Sequence, residues 1–113
     1  MNELSQSSYS DDRLAGMFAA LAHPARIRIL RHLALCSSCN CKQVVGEVKL
    51  AQSTVSQHLK VLVDAGLVRY EPRRQQSCYS LAPVAVEVLS KSVARLVGEC
   101  CSPALKKRNE PHG

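Results

Sequence analysis

Leu50-Ala-Gln-Ser-Thr-Val-Ser-Gln-His-Leu-Lys-Val-Leu-Val-Asp-Ala-Gly66 has the alternation of apolar and polar residues that is typical of an amphipathic helix. Its apolar residues recur at helical spacing and share one stripe: Val55, Leu59, Leu62 and Val63. Gly66 then favours an end to the helix, because glycine adopts the left-handed cap conformation without a steric penalty. We therefore expect a helix with one dry face.

The opposite face of this helix is polar but almost uncharged. Its members are Gln52, Ser53, Thr54, Ser56, Gln57, His58 and Lys60. A solvated helix face is usually rich in Glu and Lys pairs, whereas amide and hydroxyl groups suit base edges and phosphate oxygens. A polar first turn rich in capping residues would give the same pattern, so the helix alone does not decide between the two interpretations.

The composition favours a polyanionic partner. The net charge is +6, from fifteen Lys and Arg against nine Asp and Glu. Glu3, Asp11 and Asp12 all precede residue 13, so the rest of the chain is more basic still. We expect duplex DNA, because three Tyr and one Phe are too few to stack single-stranded bases. No membrane partner is expected, because the longest charge-free runs, 14–25 and 75–86, are too short to span a bilayer.

The cysteine content points to thiol chemistry. The sequence does not begin like a signal peptide, so a cytoplasmic location is expected. In that compartment the cysteines should be reduced thiols rather than structural disulfides, and such thiols are candidates for soft-metal or redox chemistry. The six cysteines are Cys36, Cys39, Cys41, Cys78, Cys100 and Cys101.

Helical spacing predicts three helices ahead of the amphipathic one. The first begins at Asp11, with Leu14, Phe18 and Leu21 inward, and the third covers about 42–48. The second, 24–35, starts at a proline and is predicted to bury four residues: Ile27, Leu30, Leu33 and Ala34. A short helix, a tight turn and a longer helix with a polar front form a helix-turn-helix.

A β-hairpin and a last helix complete the predicted fold. Residues 67–70 and 77–81 read as strands around a tip that carries Arg73 and Arg74, which suits contact with phosphates. The last helix starts at Pro83 and is predicted to end at 102–103. The fold class is therefore mainly α with a small β-hairpin wing, a winged helix-turn-helix in the order α-α-α-α-β-β-α.

The domain prediction places one domain at 11–102, between a flexible segment, 1–10, and a flexible basic tail, 103–113. The apolar stripe of the last helix is longer than one small core can cover, so we expect a homodimer whose interface includes the first helix. The stripe consists of Val86, Leu89, Val93, Leu96, Val97 and Cys100.

Two segments closely resemble the ArsR/SmtB family of small winged-helix repressors: Leu21-Ala-His-Pro-Ala-Arg-Ile-Arg-Ile-Leu30 and the stretch from Leu50 to Val68. The similarity spans roughly residues 11–100. It implies a homodimer that binds a palindromic operator and leaves it when an inducer, commonly a metal or metalloid ion, binds. The resemblance assigns wing contacts to Arg73 and Arg74. It assigns base reading to Gln52, Ser53, Thr54, Ser56, Gln57 and His58.

Zinc and nickel sensors of this family carry histidines on the last helix, but 83–101 contains none. A thiolate-only site remains, which favours thiophilic ions. We expect As(III) or methylated As(III), with Sb(III), Cd(II) and Pb(II) as further possibilities. The favoured metal site is the adjacent pair Cys100 and Cys101. Its rival is a cluster of Cys36, Cys39 and Cys41, since family members carry a Cys-x-Cys at the start of the short helix.

Two other functions stay open at this point. One is a thiol-redox or persulfide sensor of the same fold, in which Cys36 or Cys41 bridges to Cys100. The other is a small thiol enzyme. The enzyme is remote, because it would need an activated cysteine beside a Gly-rich anion-binding loop, and the sequence has no such loop.

Overall fold

The computed structural model describes residues 8–109 of the chain, and the side chains of residues 8–101. Within this part the chain forms five helices and one two-stranded antiparallel hairpin. The elements in chain order are α1 (Asp11–Leu21), α2 (Pro24–Leu35), α3 (Cys41–Val48), α4 (Gln52–Asp64), β1 (Val68–Glu71), β2 (Cys78–Leu81) and α5 (Pro83–Asn109). The predicted order of elements is confirmed.

Local capping fixes where the first three helices begin. Ser10 accepts a hydrogen bond from the backbone of Arg13, and His23 accepts one from the backbone of Ala25 beside the proline that opens α2. Asn40 and Gln43 form a reciprocal capping box at the start of α3, with bonds of 2.9 and 2.8 Å. These side chains satisfy backbone N–H groups that the first turn of a helix leaves unpaired.

Helix α4 packs into the core through the stripe that its sequence predicts. Val55, Leu59 and Leu62 are completely buried and pack in the same core as residues of α2 and α3. Gly66 follows the helix with φ +86°, as predicted, and the N–H of Leu67 donates to the carbonyl of Leu62 at 3.0 Å. This bond is the mark of a left-handed helix cap.

The inward faces of α1 and α2 differ in part from the sequence prediction. In α1, Leu14 is buried as predicted, but Met17, at 1% exposure, lies in the core where Phe18 was expected, and Phe18 is 40% exposed. In α2 the core is formed by Ala25, Ile29 and Leu33, at spacings of four, and Ile27 is 43% exposed. Neighbouring apolar residues fit a helical stripe almost equally well, so periodicity did not tell which of them the other helices would cover.

The hairpin is tied to the rest of the domain through one buried cysteine. β1 and β2 pair from Val68 opposite Leu81 to Glu71 opposite Cys78. Tyr79 of β2 also exchanges two backbone hydrogen bonds with Cys39, of 2.9 and 2.7 Å. This bridge fixes the turn between α2 and α3 against the wing.

Both ends of the domain differ from the prediction. Helix α5 continues to Asn109, past the expected end at 102–103, because a proline removes one backbone donor without always ending a long helix. At the other end, Tyr9 lies in the segment expected to be flexible, but its N–H donates to Ser92 and its hydroxyl to the carbonyl of Ala85. Residues 1–7 and 110–113 lie outside the described part, so the flexibility predicted for them stays a prediction.

Candidate nucleic-acid interface

The polar face of α4 is open to solvent along most of its length. Its exposed members are Gln52, Ser53, Ser56, Gln57 and Lys60, and Thr54 is half-buried. Ala51 precedes the helix and offers no side-chain cap. The first N–H groups of α4 are therefore free of a side-chain acceptor, which suits an incoming phosphate oxygen at the positive end of the helix dipole.

His58 is placed differently from the rest of this face. The side chain is 9% exposed, its ring lies 4.5 Å from the ring of His23, and its Nδ1 accepts a hydrogen bond from Nε of Arg26 at 3.2 Å. Arg26 also donates to the carbonyls of Ala19 and Ala20. In this structure His58 therefore braces α4 against α1 and α2 and lies inside the domain, whereas the sequence predicted that it faces DNA.

Electrostatics reinforce this interior role. Burial, followed by the positive charges of His23 and Arg26, lowers the pKa of His58 below its ordinary value. A neutral imidazole is what this geometry requires, because a ring nitrogen that accepts from a guanidinium cannot carry a proton. His58 thus helps to set the position of α4, which as the second helix of the helix-turn-helix is its recognition helix.

The wing tip places positive charge beside α4. Residues 72–76 are exposed, including Arg73 and Arg74. Arg73 lies 3.3 Å from the carboxylate of Glu71. Arg74 has no ion-pair partner among the residues that the structure describes. Since an ion pair between exposed side chains is weak, both arginines can reach a phosphate backbone.

A groove of about 370 Å³ separates the wing from the helix-turn-helix. Asn40 closes one end by donating to Gln76 at 3.0 Å. Six groove residues were not among the sequence candidates, and three of them have long polar side chains: Lys42, Gln75 and Gln76. In the sequence, these residues could be recognised only by their position in the short helix and near the hairpin tip. The folded hairpin brings them into one groove with Gln52. The groove is lined by polar side chains suited to nucleic-acid atoms.

The cysteines form a different arrangement from the one predicted. Cys36 and Cys39 are joined by a disulfide, whereas reduced thiols were expected throughout. Cys41 is a free thiol, and its Sγ lies 3.7 Å from Ser56 Oγ on α4. The rival three-cysteine site is therefore divided: the turn brings residues 36 and 39 together, and helix α3 directs residue 41 toward the recognition helix.

The remaining thiols are free. Cys100 and Cys101 are both exposed on α5, and Cys78 is half-buried on β2. The bridge from Cys36 or Cys41 to Cys100, which the redox-sensor alternative requires, is not formed within the chain, since Cys36 pairs with Cys39 and both Cys41 and Cys100 are free thiols. Separation along the chain favours the Cys36–Cys39 pair, because closing a loop over two intervening residues costs less conformational entropy than joining cysteines that are far apart in the sequence.

The last helix leaves apolar surface uncovered. Val86, Leu96 and Val97 are 36%, 40% and 50% exposed, and Phe18 on α1 is also exposed.

Among the described residues, no helix combines the length and the apolar character that crossing a bilayer would need.

Taken together, a helix-turn-helix, an exposed polar face on its second helix and an adjoining hairpin with a basic tip define a winged-helix protein of the nucleic-acid-binding class. Residues 23–70 match the family model described as "Bacterial regulatory protein, arsR family". The chain belongs to the ArsR family, and it is a transcription regulator rather than an enzyme.

Known relatives agree with this assignment. A transcriptional repressor SmtB homolog of Synechocystis is 35% identical over 73% of this chain, and the chain spans 61% of that relative's length. An uncharacterised HTH-type transcriptional regulator of Methanocaldococcus jannaschii is 34% identical over 75% of this chain and 96% of the relative.

A solved structure supports the fold. The homodimeric winged helix-turn-helix DNA-binding domain from Mycobacterium bovis matches with a TM-score of 0.62 and 23% identity, over 92% of this chain and 97% of that one.

Proposed function

We propose that the protein is a homodimeric repressor that binds a palindromic duplex operator and releases it when trivalent arsenic binds to Cys100 and Cys101. The observation that carries the DNA-binding part is the exposed, nearly uncharged polar face of α4 beside the basic wing tip. Gln52, Ser53, Ser56 and Gln57 lie in the major groove and read base edges. Arg73, Arg74 and Lys60 contact phosphates and fix the register.

Dimerisation follows from the surface that the chain leaves uncovered. The exposed residues Leu96 and Val97 on α5, together with Phe18 on α1, bury their side chains against a second copy. The two recognition helices then lie about one helical turn of DNA apart, roughly 34–36 Å, as a palindrome requires. Any change in the angle between the protomers spoils this spacing.

The inducer site rests on two exposed, adjacent thiols in a helix segment without histidine. A pair of thiolates chelates arsenite or methylarsenite, and the same pair accepts Sb(III), Cd(II) or Pb(II). Adjacent side chains on a helix diverge by about 100°. Cys100 and Cys101 must therefore turn toward each other, or the local helix must unwind, before both bind one ion. That rearrangement in α5 transmits binding to the dimer geometry.

Release from operator DNA by arsenite or methylarsenite tests this proposal. The variant Cys100→Ser/Cys101→Ser should bind DNA normally and stay bound in the presence of the metalloid, as followed by gel shift. Cys78→Ser is the matched control and should release like the unmodified protein. If the double variant is still released, the arsenic site is elsewhere, and Cys39→Ser/Cys41→Ser then tests the rival cluster.

One observation favours a second candidate function, a thiol-redox or persulfide-responsive repressor. The Cys36–Cys39 disulfide joins the turn that is hydrogen-bonded to β2, so its reduction could alter the position of the wing. In this case DNA affinity depends on added thiol reductant in the Cys100→Ser/Cys101→Ser background and becomes independent of it in Cys36→Ser. Mass spectrometry without reductant identifies the bonded pair.

A further inference from the structure

His32 lies against the disulfide in the turn between α2 and α3. Its Nε2 is 3.6 Å from Cys39 Sγ, and Cys36 Sγ is 3.4 Å from the carbonyl oxygen of His32. The imidazole nitrogen and the two sulfurs all lie within 4.8 Å of one another. The sequence did not single out His32, because it lies on α2 and three residues ahead of the first cysteine.

We propose that reduction of the Cys36–Cys39 bond converts His32, Cys36 and Cys39 into a binding site for a thiophilic divalent cation, with Zn²⁺ as the best fit. Two thiolates and one imidazole form a common donor set for zinc, and the two-residue gap between the cysteines is a common zinc spacing. The proposal is independent of the arsenic site on α5, which shares none of these ligands.

The observed spacing fits tetrahedral coordination. With Zn–S of about 2.3 Å and Zn–N of about 2.0–2.1 Å, a sulfur and a nitrogen on one tetrahedron lie roughly 3.5–3.6 Å apart. Cys39 and His32 already have this separation. After reduction, only Cys36 must move, since its sulfur has to withdraw to the edge of about 3.8 Å that two zinc-bound sulfurs share. Cys36 is half-buried at the end of α2, whereas Cys39 is buried.

The surroundings support a bound ion in two further ways. Cys39 is 2% exposed and fixed by its two backbone bonds to Tyr79, so one ligand is preorganised. His32 also lines an open pocket of about 180 Å³ with Glu47, so one of the three ligands borders open space. Arg28 and Arg31 line the same pocket, and their positive charge opposes the approach of a cation from this side.

Conversion of the disulfide into the metal site needs only a thiol reductant and the divalent cation. Reduction takes two electrons and two protons, which a thiol reductant supplies while becoming a disulfide itself. Binding of a divalent cation then displaces the two thiol protons. Oxidation and metal binding are therefore mutually exclusive at this turn. The bound ion joins the end of α2 to Cys39, which is itself hydrogen-bonded to Tyr79 on β2 of the wing.

The test uses the full chain with Cys100→Ser/Cys101→Ser, so that the other thiol pair cannot bind the probe. After anaerobic reduction and removal of the reductant, Co²⁺ should produce a thiolate charge-transfer band and the visible spectrum of a tetrahedral site, saturating at one ion per chain. Zn²⁺ should displace the Co²⁺, and competition with a chromophoric chelator gives its affinity. Without reduction no band should form.

Three variants in this background locate the ligands. Cys36→Ser should remove the charge-transfer band, and it replaces the less buried of the two cysteines, so circular dichroism should report an unchanged fold. His32→Asn should lower the affinity by more than the roughly 10–100-fold that loss of a supporting residue costs. Cys41→Ser is the control and should bind like the parent. The proposal is overturned if the reduced parent gives no band, or if Cys41→Ser weakens binding as much as His32→Asn.

Discussion

Helices α4 and α5 both carry apolar residues at helical spacing, but the chain covers the stripe on α4 more completely than the one on α5, where Leu89 packs against the core only in part. Val55, Leu59 and Leu62 are completely buried, whereas Leu96 and Val97 on α5 are 40% and 50% exposed. Because α4 packs against the core through its apolar side, its polar side faces solvent. The contrast teaches that one chain suffices to position the recognition helix, while α5 still has apolar surface for a second copy.

The two helices also differ in their polar chemistry. The exposed face of α4 is dominated by amides and hydroxyls, and its charged pair is Lys60 with Asp64 at 3.3 Å. Helix α5 carries two ion pairs at four-residue spacing, Glu87 with Lys91 and Arg95 with Glu99. Paired charges are typical of a solvated face, whereas amides without partners in the chain are typical of a face that forms hydrogen bonds with another molecule.

The largest expected effect is a difference in the free energy of unfolding between the same substitution on the two apolar stripes. Leu59→Ala should lower the free energy of unfolding by about 2–5 kcal/mol, because it opens a cavity in a filled core. Leu96→Ala, the matched change on α5, should alter the stability of the single chain by no more than about 0.5 kcal/mol. Urea unfolding at low protein concentration measures both values, and sedimentation equilibrium should show a weaker dimer only for Leu96→Ala. Equal destabilisation by the two variants would contradict the contrast.

The next effect concerns base reading by α4. Gln57→Ala should reduce discrimination between the operator and single-base-pair variants by about 1–3 kcal/mol, because an amide contact to a base edge is lost. Fluorescence anisotropy on a set of such duplexes measures the discrimination. Ser90→Ala, an exposed polar change on α5, serves as control. A change in sequence preference caused by Ser90→Ala would mean that the reading face is wrongly assigned.

A smaller and sequence-independent effect is expected at the wing. Arg74→Ala should weaken binding to all duplexes alike and reduce the slope of log affinity against log salt by about 1, because one phosphate contact is removed. Arg95→Ala removes a similarly exposed arginine from α5 and should leave the slope unchanged. Titrations at a series of salt concentrations distinguish the two, and an unaltered slope for Arg74→Ala would exclude its phosphate contact.

The smallest effect is a pH dependence that α4 has through His58, whereas 83–101 of α5 contains no histidine. Since the folded chain lowers the pKa of His58, the unfolded chain binds its proton at a higher pH, near the ordinary value of 6.5. The stability from the neutral ring is therefore present above that value and is lost as the pH falls through the folded pKa.

Urea unfolding between about pH 7.5 and pH 5 should show this loss, with a slope of at most about 1.4 kcal/mol per pH unit. His58→Asn keeps an acceptor for Arg26 and removes the titration, so this variant should show a flatter profile. The facing groups His23 and Arg26 are unchanged in it. An identical slope in both proteins would exclude His58 as the source.

Most of the fold could be predicted from the sequence because its signals are local. The stripe of α4, Gly66 as its cap and Pro24 at the start of α2 all act within a few residues. The choice between Met17 and Phe18, or between Ile29 and Ile27, could not be predicted. Both members of each pair fit a helical stripe, and the burial of either depends on the angle at which neighbouring helices cross.

For the candidate site too, some features could be predicted from the sequence and others depended on the tertiary structure. The sequence determined the existence of a polar recognition face, a basic wing tip and two groups of thiols. The tertiary structure decided that His58 turns inward to Arg26, that Cys41 faces Ser56 while Cys36 and Cys39 join, and that His32 lies beside them. Periodicity assigns a residue to a face of its own helix, but contacts across helices depend on how those helices pack, which the complete chain fixes.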